Sequence, residues 1–179
     1  MTQNESPSNL AHILILVGSK SDVAVTQAGL DLLREFGAGF SLRIASAHRT
    51  PAHLHAILHE FNHHDEMKAV ICVAGKSAHL AGVVASHTLK PVLAVPLASQ
   101  DPCETAGFDA LLSMVQMPNG IPVATFGFGR TGFSNAVLFA LALVAMHDQP
   151  LFNLLRDWRT RMADTVMGDD AKLRIDFEP

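Results

Sequence analysis

The chain has 179 residues, 49% of them hydrophobic and 17% charged, which suits one compact domain with a sizeable core and argues against general disorder. Lys plus Arg number 13 against 17 Asp plus Glu, a formal charge of −4 that lowers nucleic-acid binding among the functions to consider. The longest apolar run, Ala136 to Met146, falls short of the roughly 18 residues that span a bilayer and reads as a buried helix.

Residues 1–11 are polar, lack the charged and apolar regions of a secretory signal, and are expected to form a flexible segment. Two cysteines, Cys72 and Cys103, are too few for a disulfide framework, and Cys72 lies in an apolar run as a small buried side chain. These features point to a reduced, cytoplasmic setting and to a single domain over residues 12–167, followed by a polar tail, 168–179.

Short β-rich runs alternate with helical segments along the chain. The first strand, Ile13–Val17, leads through Gly18-Ser19-Lys20-Ser21-Asp22 into a helix over Ser21–Phe36, with Ser21 or Asp22 as its N-cap and Gly37 as its stop. Strand Phe40–Ala45 precedes helix Pro51–Asn62, with Pro51 suited to its first turn. Strand Ala69–Ala74 precedes helix His79–Thr88, and strand Val92–Val95 precedes helix Phe108–Val115. Met117 to Pro122 is turn chemistry, and a last strand covers Val123–Phe126. Two helices close the chain, Ser134–His147 and Pro150–Met167, the second amphipathic through Leu151, Leu154, Leu155 and Trp158, and the residues from Asp169 onward are expected to fray. Most strand runs are continuously apolar, as parallel strands covered on both faces must be, so the expected fold is α/β with one parallel five-stranded sheet between helical layers.

In such a sheet, ligands bind beyond the carboxyl ends of the strands. Three segments leave those ends and are expected to meet on one rim. In the first, Gly18 permits a tight turn, Ser19 and Ser21 offer hydroxyls, a helix start offers N–H groups to an anion, and Asp22 can accept from ribose hydroxyls; plain N-capping is the bland alternative. In the second, Ser46-Ala47-His48-Arg49-Thr50-Pro51, Arg49 suits bidentate phosphate or carboxylate recognition, and His48 can move protons near neutrality. Taken alone this loop reads as a surface His and Arg; its neighbourhood with the first loop favours a site. The third, Gly75-Lys76-Ser77-Ala78-His79-Leu80, imitates the end of a Walker A motif, but position 70 is Val where that motif needs Gly, so a triphosphate site is excluded; His79 is either a second pocket histidine or a first-turn helix residue.

Two further motifs carry less. Gly127-Phe128-Gly129-Arg130-Thr131-Gly132 matches G-x-G-x-x-G, yet no βα unit with an acidic residue follows, so a glycine-rich turn permitting close packing is the better reading. His59-Glu60-Phe61-Asn62-His63 matches H-E-x-x-H, but Leu54, Ile57, Leu58 and Phe61 must face the sheet, which leaves His55, His59 and His63 as a solvated stripe; surface metal binding there is a stronger residual reading than a zinc hydrolase.

Taken together, Val17 to Asp22 (VGSKSD), Ser46 to Pro51 (SAHRTP), Ser113 to Ala124 (SMVQMPNGIPVA), Thr131 to Val137 and Met146 to Asp148 closely resemble the PurE family, over about residues 12–165. The family comprises N5-carboxyaminoimidazole ribonucleotide mutases and related aminoimidazole ribonucleotide carboxylases of purine biosynthesis. The resemblance implies a flavodoxin-like three-layer domain, a homo-octamer, no cofactor, no metal, and a small-molecule ribonucleotide substrate with neither nucleic acid nor membrane as partner. It implies that His48 is the catalytic histidine, that Ser19, Asp22 and Arg49 bind the nucleotide, and that His79 with the glycine-rich segment before it closes over the base and carboxylate. Gly18, Ser21, Ser46, Ala47, Gly75, Lys76, Ser77, Ala78 and Leu80 are counted with the substrate-binding residues. The third loop, Gly75 to Gly82 (GKSAHLAG), differs from the Gly-Gly-Ala-Ala-His-Leu-Pro-Gly usual in bacterial mutases, and Lys76-Ser77 is similar to the Arg-Ser of the class that takes carbon dioxide directly. Arg49 and Gln116-Met117-Pro118 resemble the mutase class, which is the favoured reading; the direct carboxylase and a non-catalytic nucleotide-binding module are the alternatives. Phe133, Val137, Leu138, Phe139, Leu141, Leu143 and Val144 cover more than one helix face, which is consistent with burial between subunits.

Overall fold

A computed structural model describes residues 12–99 and 106–174 of the chain. The flexible segment expected over 1–11 lies outside the described residues, as does Cys103. The chain divides into two compact units, Met1–Ala140 and Leu141–Pro179.

The first unit holds a sheet of five strands, β1 (His12–Val17), β2 (Gly39–Ile44), β3 (Met67–Gly75), β4 (Val92–Leu97) and β5 (Ala124–Thr125), in the order β2-β1-β3-β4-β5. Every pairing is parallel, with Ile15 opposite Leu42 on one side and Ile71 on the other, and Val73 opposite Val95. The residues Ile13–Val17 and Ala69–Ala74 are buried, as central strands covered on both faces require. Strand β2, at one edge, is only partly covered. Strand β5 is shorter than expected: Pro122 has no N–H to give to a ladder, and only the Phe126 N–H extends the pairing, to Ala94 O at 2.9 Å. The turn before it is of type II, with the Ile121 N–H on Pro118 O and Gly120 at φ 93°.

Helix α1 (Gln27–Glu35) begins later than expected, because the segment Lys20–Val25 is a 3-10 turn. The Asp22 N–H bonds Ser19 O and the Thr26 N–H bonds Val23 O, while the Thr26 hydroxyl donates to Val23 O at 2.8 Å. Short polar side chains here compete for local bonds and divert the backbone from the α pattern. Neither Ser21 nor Asp22 is therefore an α-helix N-cap, and no extended helix points its N-terminus at the loop after β1. The far end of α1 matches expectation: Gly37, at φ 68°, donates to Arg34 O, and Ala38 donates to Leu33 O, which together close a Schellman motif.

Helix α2 (Pro51–His63) has Pro51 in its first turn and buries Leu54, Ile57, Leu58 and Phe61 against Leu14, Leu16, Val70 and Cys72. Each such side chain contributes about 1.5–3 kcal/mol by leaving water. Helix α3 (Leu80–Ala85) is shorter than the expected His79–Thr88; the Ser86 hydroxyl donates to Val83 O and ends it, leaving Thr88 to Pro91 to run into β4. Helix α4 (Phe108–Val115) has the expected bounds. Helix α5 (Gly129–Ala145) starts five residues before the expected Ser134, so the glycine motif is the entry to a helix and not a free turn.

Burial pushes the Cys72 thiol far above its ordinary value. In a Cys103→Ser background, a thiol reagent at pH 8 is expected to leave native protein unlabelled and to react once per chain after denaturation. Rapid native labelling would mean that β3 opens.

The second unit carries the end of α5 and helix α6 (Gln149–Leu173). The Asp148 carboxylate accepts from the Leu151 N–H at 2.9 Å, with Pro150 in the first turn. The helix runs six residues past the expected end at Met167, through Lys172 paired with Asp169 at 3.5 Å. Residues 159–174 are all exposed. Among the described residues no helix is long and apolar enough to cross a membrane.

Candidate active site

The order β2-β1-β3 reverses the direction in which the chain leaves the sheet, and the carboxyl ends on either side of β1 open into a crevice. A cavity of about 820 Å³ fills it. Its lining includes residues from all three expected loops: Gly18, Ser19, Ser21 and Asp22 after β1; Ser46, Ala47, His48 and Arg49 after β2; Gly75, Lys76, Ser77, His79 and Leu80 after β3. Ala78 alone of the expected residues does not line it; it is buried in the core beneath the third loop.

The first loop forms a chain of hydroxyls ending on a carboxylate. Ser19 and Ser21 oxygens lie 2.5 Å apart, and the Ser21 hydroxyl donates to Asp22 Oδ1 at 3.0 Å. Asp22 keeps acceptor capacity for two vicinal hydroxyls of a sugar. The loop enters a 3-10 turn and not an α-helix, so the N–H groups at its start have no extended helix dipole behind them, and the full positive charges at the site are those of side chains.

The second loop is held by its own serine. The Ser46 hydroxyl accepts from the Arg49 N–H at 3.2 Å, while Thr50 Oγ1 accepts from the Ser46 N–H at 2.9 Å and donates to Ser46 O at 3.2 Å. This knot projects His48 and Arg49 from the strand end, both exposed to the cavity. Arg49 Nη2 donates to Gly18 O at 3.3 Å, tying the second loop to the first.

His48 ties the second loop to the third. Its Nε2 lies 2.9 Å from His79 Nδ1, with the rings edge to face at 79°. One proton fits between two imidazole nitrogens, so while the bond lasts at most one of the two rings is cationic. His79 is thereby both of the things expected as alternatives, a pocket histidine and the residue that opens α3. Lys76 adds a second cationic side chain to the lining and is one of two non-glycine residues with positive φ, at 57°, among those described. A left-handed backbone at a residue with a Cβ is strain held by the surrounding structure, and such strain gathers at functional sites.

Sequence reasoning missed the fourth wall. Ala74, Leu97, Ala98 and Ser99 also line the cavity, three of them at the end of β4. Applying the strand-end rule to β4 as well would have found them; ending that strand at Val95 hid it. The H-E-x-x-H segment lies elsewhere, since no α2 side chain lines the cavity.

The arrangement offers a histidine pair for proton transfer, a guanidinium and an amine for anions, and a carboxylate with hydroxyls for a sugar. A family model described as AIR carboxylase matches residues 12–165. A protein of Methanocaldococcus jannaschii named N5-carboxyaminoimidazole ribonucleotide mutase is 42% identical over 93% of this chain and 99% of its own. The protein of the same name from Escherichia coli is 40% identical over 90% of this chain and 94% of its own. The crystal structure of Treponema denticola PurE superposes with a TM-score of 0.83 at 30% identity, over 92% of this chain and 99% of that one. The match spans the sheet, the strand-end loops and most of the helices, and on it this chain belongs to the AIR carboxylase family.

Proposed function

We propose that this chain is an N5-carboxyaminoimidazole ribonucleotide mutase of purine biosynthesis, with its catalytic domain within residues 12–167. The support is the meeting of His48 with Ser19, Asp22 and Arg49 in one cavity, in a chain about 40% identical to mutases over nearly its whole length.

The reaction moves a carboxylate from an exocyclic nitrogen to a ring carbon. In our reading, the N5–carboxyl bond of the carbamate breaks, carbon dioxide leaves, and N5 takes up a proton. The electron-rich C4 then forms a bond to the trapped carbon dioxide, and C4 loses its proton. One proton is delivered and one removed, so a single shuttle is returned to its starting state. His48 is that shuttle, and a positioned histidine is worth about 10²–10⁴-fold. His79 holds its ring and confines the pair to one shared proton. Arg49 takes the substrate phosphate, Asp22 and Ser19 the ribose, and the third loop the base and carboxylate. Holding carbon dioxide beside C4 replaces a bimolecular encounter with a local one. These steps call on acid–base chemistry and positioning alone, and no cofactor enters them.

A second reading, direct carboxylation by free carbon dioxide, is favoured by one observation: Lys76-Ser77 in the third loop. Product formation from the carbamate, compared with aminoimidazole ribonucleotide plus bicarbonate, both without ATP, separates the two. Faster turnover of the carbamate is expected; the reverse would make the chain a carboxylase.

We further propose a homo-octamer in the cytoplasm. Of the α5 residues expected between subunits, Phe133, Val137 and Leu141 are instead buried within the single chain; the support comes from Phe108, Leu112 and Val115 on α4 and Phe152, Leu154 and Met162 on α6, each about half exposed in the single chain. Light scattering at micromolar concentration is expected to give a mass well above one chain, and a monomer would refute the assembly.

A further inference from the structure

The outer face of α2 carries an unassigned cluster of imidazoles. His55, His59 and His63 are all exposed, opposite the buried Leu54, Ile57, Leu58 and Phe61. A hydrolytic zinc centre is not built here: no group of three His, Cys, Asp or Glu gathers around a common point among the described residues, and Glu60 lies 4.0 Å from Arg43. What the helix does build is a pair. The rings of His59 and His63, one turn apart, lie with centroids 4.3 Å apart and planes tilted by 33°.

His63 Nδ1 donates to the backbone carbonyl of His59 at 2.7 Å. With its proton committed there, the neutral ring keeps its lone pair on Nε2, at the outer edge of the helix. A carbonyl bound to the far nitrogen is what orients metal-ligating histidines and raises their basicity.

We propose that His59 and His63 form a two-imidazole chelate for a divalent transition-metal ion, Zn²⁺, Ni²⁺ or Cu²⁺, with water filling the remaining positions. Imidazole suits these ions, whereas Mg²⁺ and Ca²⁺ take oxygen ligands. Two protein donors are fewer than the three or four of resident zinc sites, so the ion exchanges freely. Since no side chain of α2 lines the active-site cavity, the chelate is separate from the proposed chemistry. His55 meets a different ring, His87, edge to face at 5.4 Å and 81°, and His87 Nδ1 is engaged with Ser86 Oγ at 3.0 Å; that pair is the competing location.

The test is calorimetric titration of the untagged, chelator-stripped full chain with NiCl₂ and with ZnCl₂. The expected result is one ion per chain, weakened by at least about tenfold in both His59→Gln and His63→Gln, since loss of even an outer partner costs 10–100-fold at metal sites. His53→Gln and His55→Gln should bind as the parent does. All four side chains are exposed, so far-UV circular dichroism should be unchanged. Protection of His59 and His63 from diethyl pyrocarbonate by Ni²⁺ in the unmutated chain provides a reading free of any folding defect. No saturable binding, binding lost with His55→Gln instead, or no protection at His59 and His63 would each overturn the assignment.

Discussion

His48→Asn is expected to lower turnover by about 10²–10⁴-fold while leaving nucleotide binding in place. The Asn amide ends where the imidazole Nδ1 stood, so it loses the bond that His48 Nε2 makes to His79 Nδ1 at 2.9 Å, while the Ser46 bonds to Arg49 and Thr50 still hold the second loop. The amide cannot carry a proton from N5 to C4. Binding measured by titration with the ribonucleotide should be close to that of the parent, because Ser19, Asp22 and Arg49 are untouched. Turnover near the parent rate would remove His48 from the chemistry, and loss of binding together with turnover would give it a structural role.

Gly132→Ala is expected to be the most damaging small substitution outside the site. A Cβ at position 132 would fall on the carbonyl of Gly127, backbone against backbone, where no flexible side chain can yield. Overpacking costs about 1–3 kcal/mol and more where the neighbour cannot move. About 3 kcal/mol corresponds to a fall of about 6–12 °C in Tm for a chain of this size, at fixed protein concentration. Gly168→Ala, in an exposed part of α6 with nothing within 4 Å of the added carbon, should instead be neutral or stabilising by up to about 1 kcal/mol. Equal Tm values for the two variants would show that the turn at Gly127 rearranges freely.

Much of this architecture is legible in the residues. Short apolar runs rich in β-branched residues, such as Ile13–Val17 and Ala69–Ala74, read as parallel strands covered on both sides, and the strand-end rule then brings His48, Arg49, Asp22 and His79 to one rim. Local competition was harder to read. The spacing of Ser21–Phe36 is helical, yet hydroxyl and carboxylate bonds among Ser19, Ser21 and Asp22 accompany a 3-10 turn, and nothing in the periodicity records it. The wall formed by Leu97, Ala98 and Ser99 carries no side chain of distinctive chemistry beyond one hydroxyl, so only geometry reveals it. The pairing of His48 with His79 spans 31 positions and likewise belongs to the fold.

The positive φ of Lys76 has an evolutionary consequence. Glycine adopts that backbone shape at no steric cost, and glycine stands at this place in the Gly-Gly-Ala-Ala-His-Leu-Pro-Gly pattern that the third loop resembles. Exchange between the two needs no rebuilding of the loop. A lineage can therefore gain or discard an amine at the mouth of the crevice by point mutation, and sample a different handling of the migrating carboxyl group while the scaffold around it stays as it was.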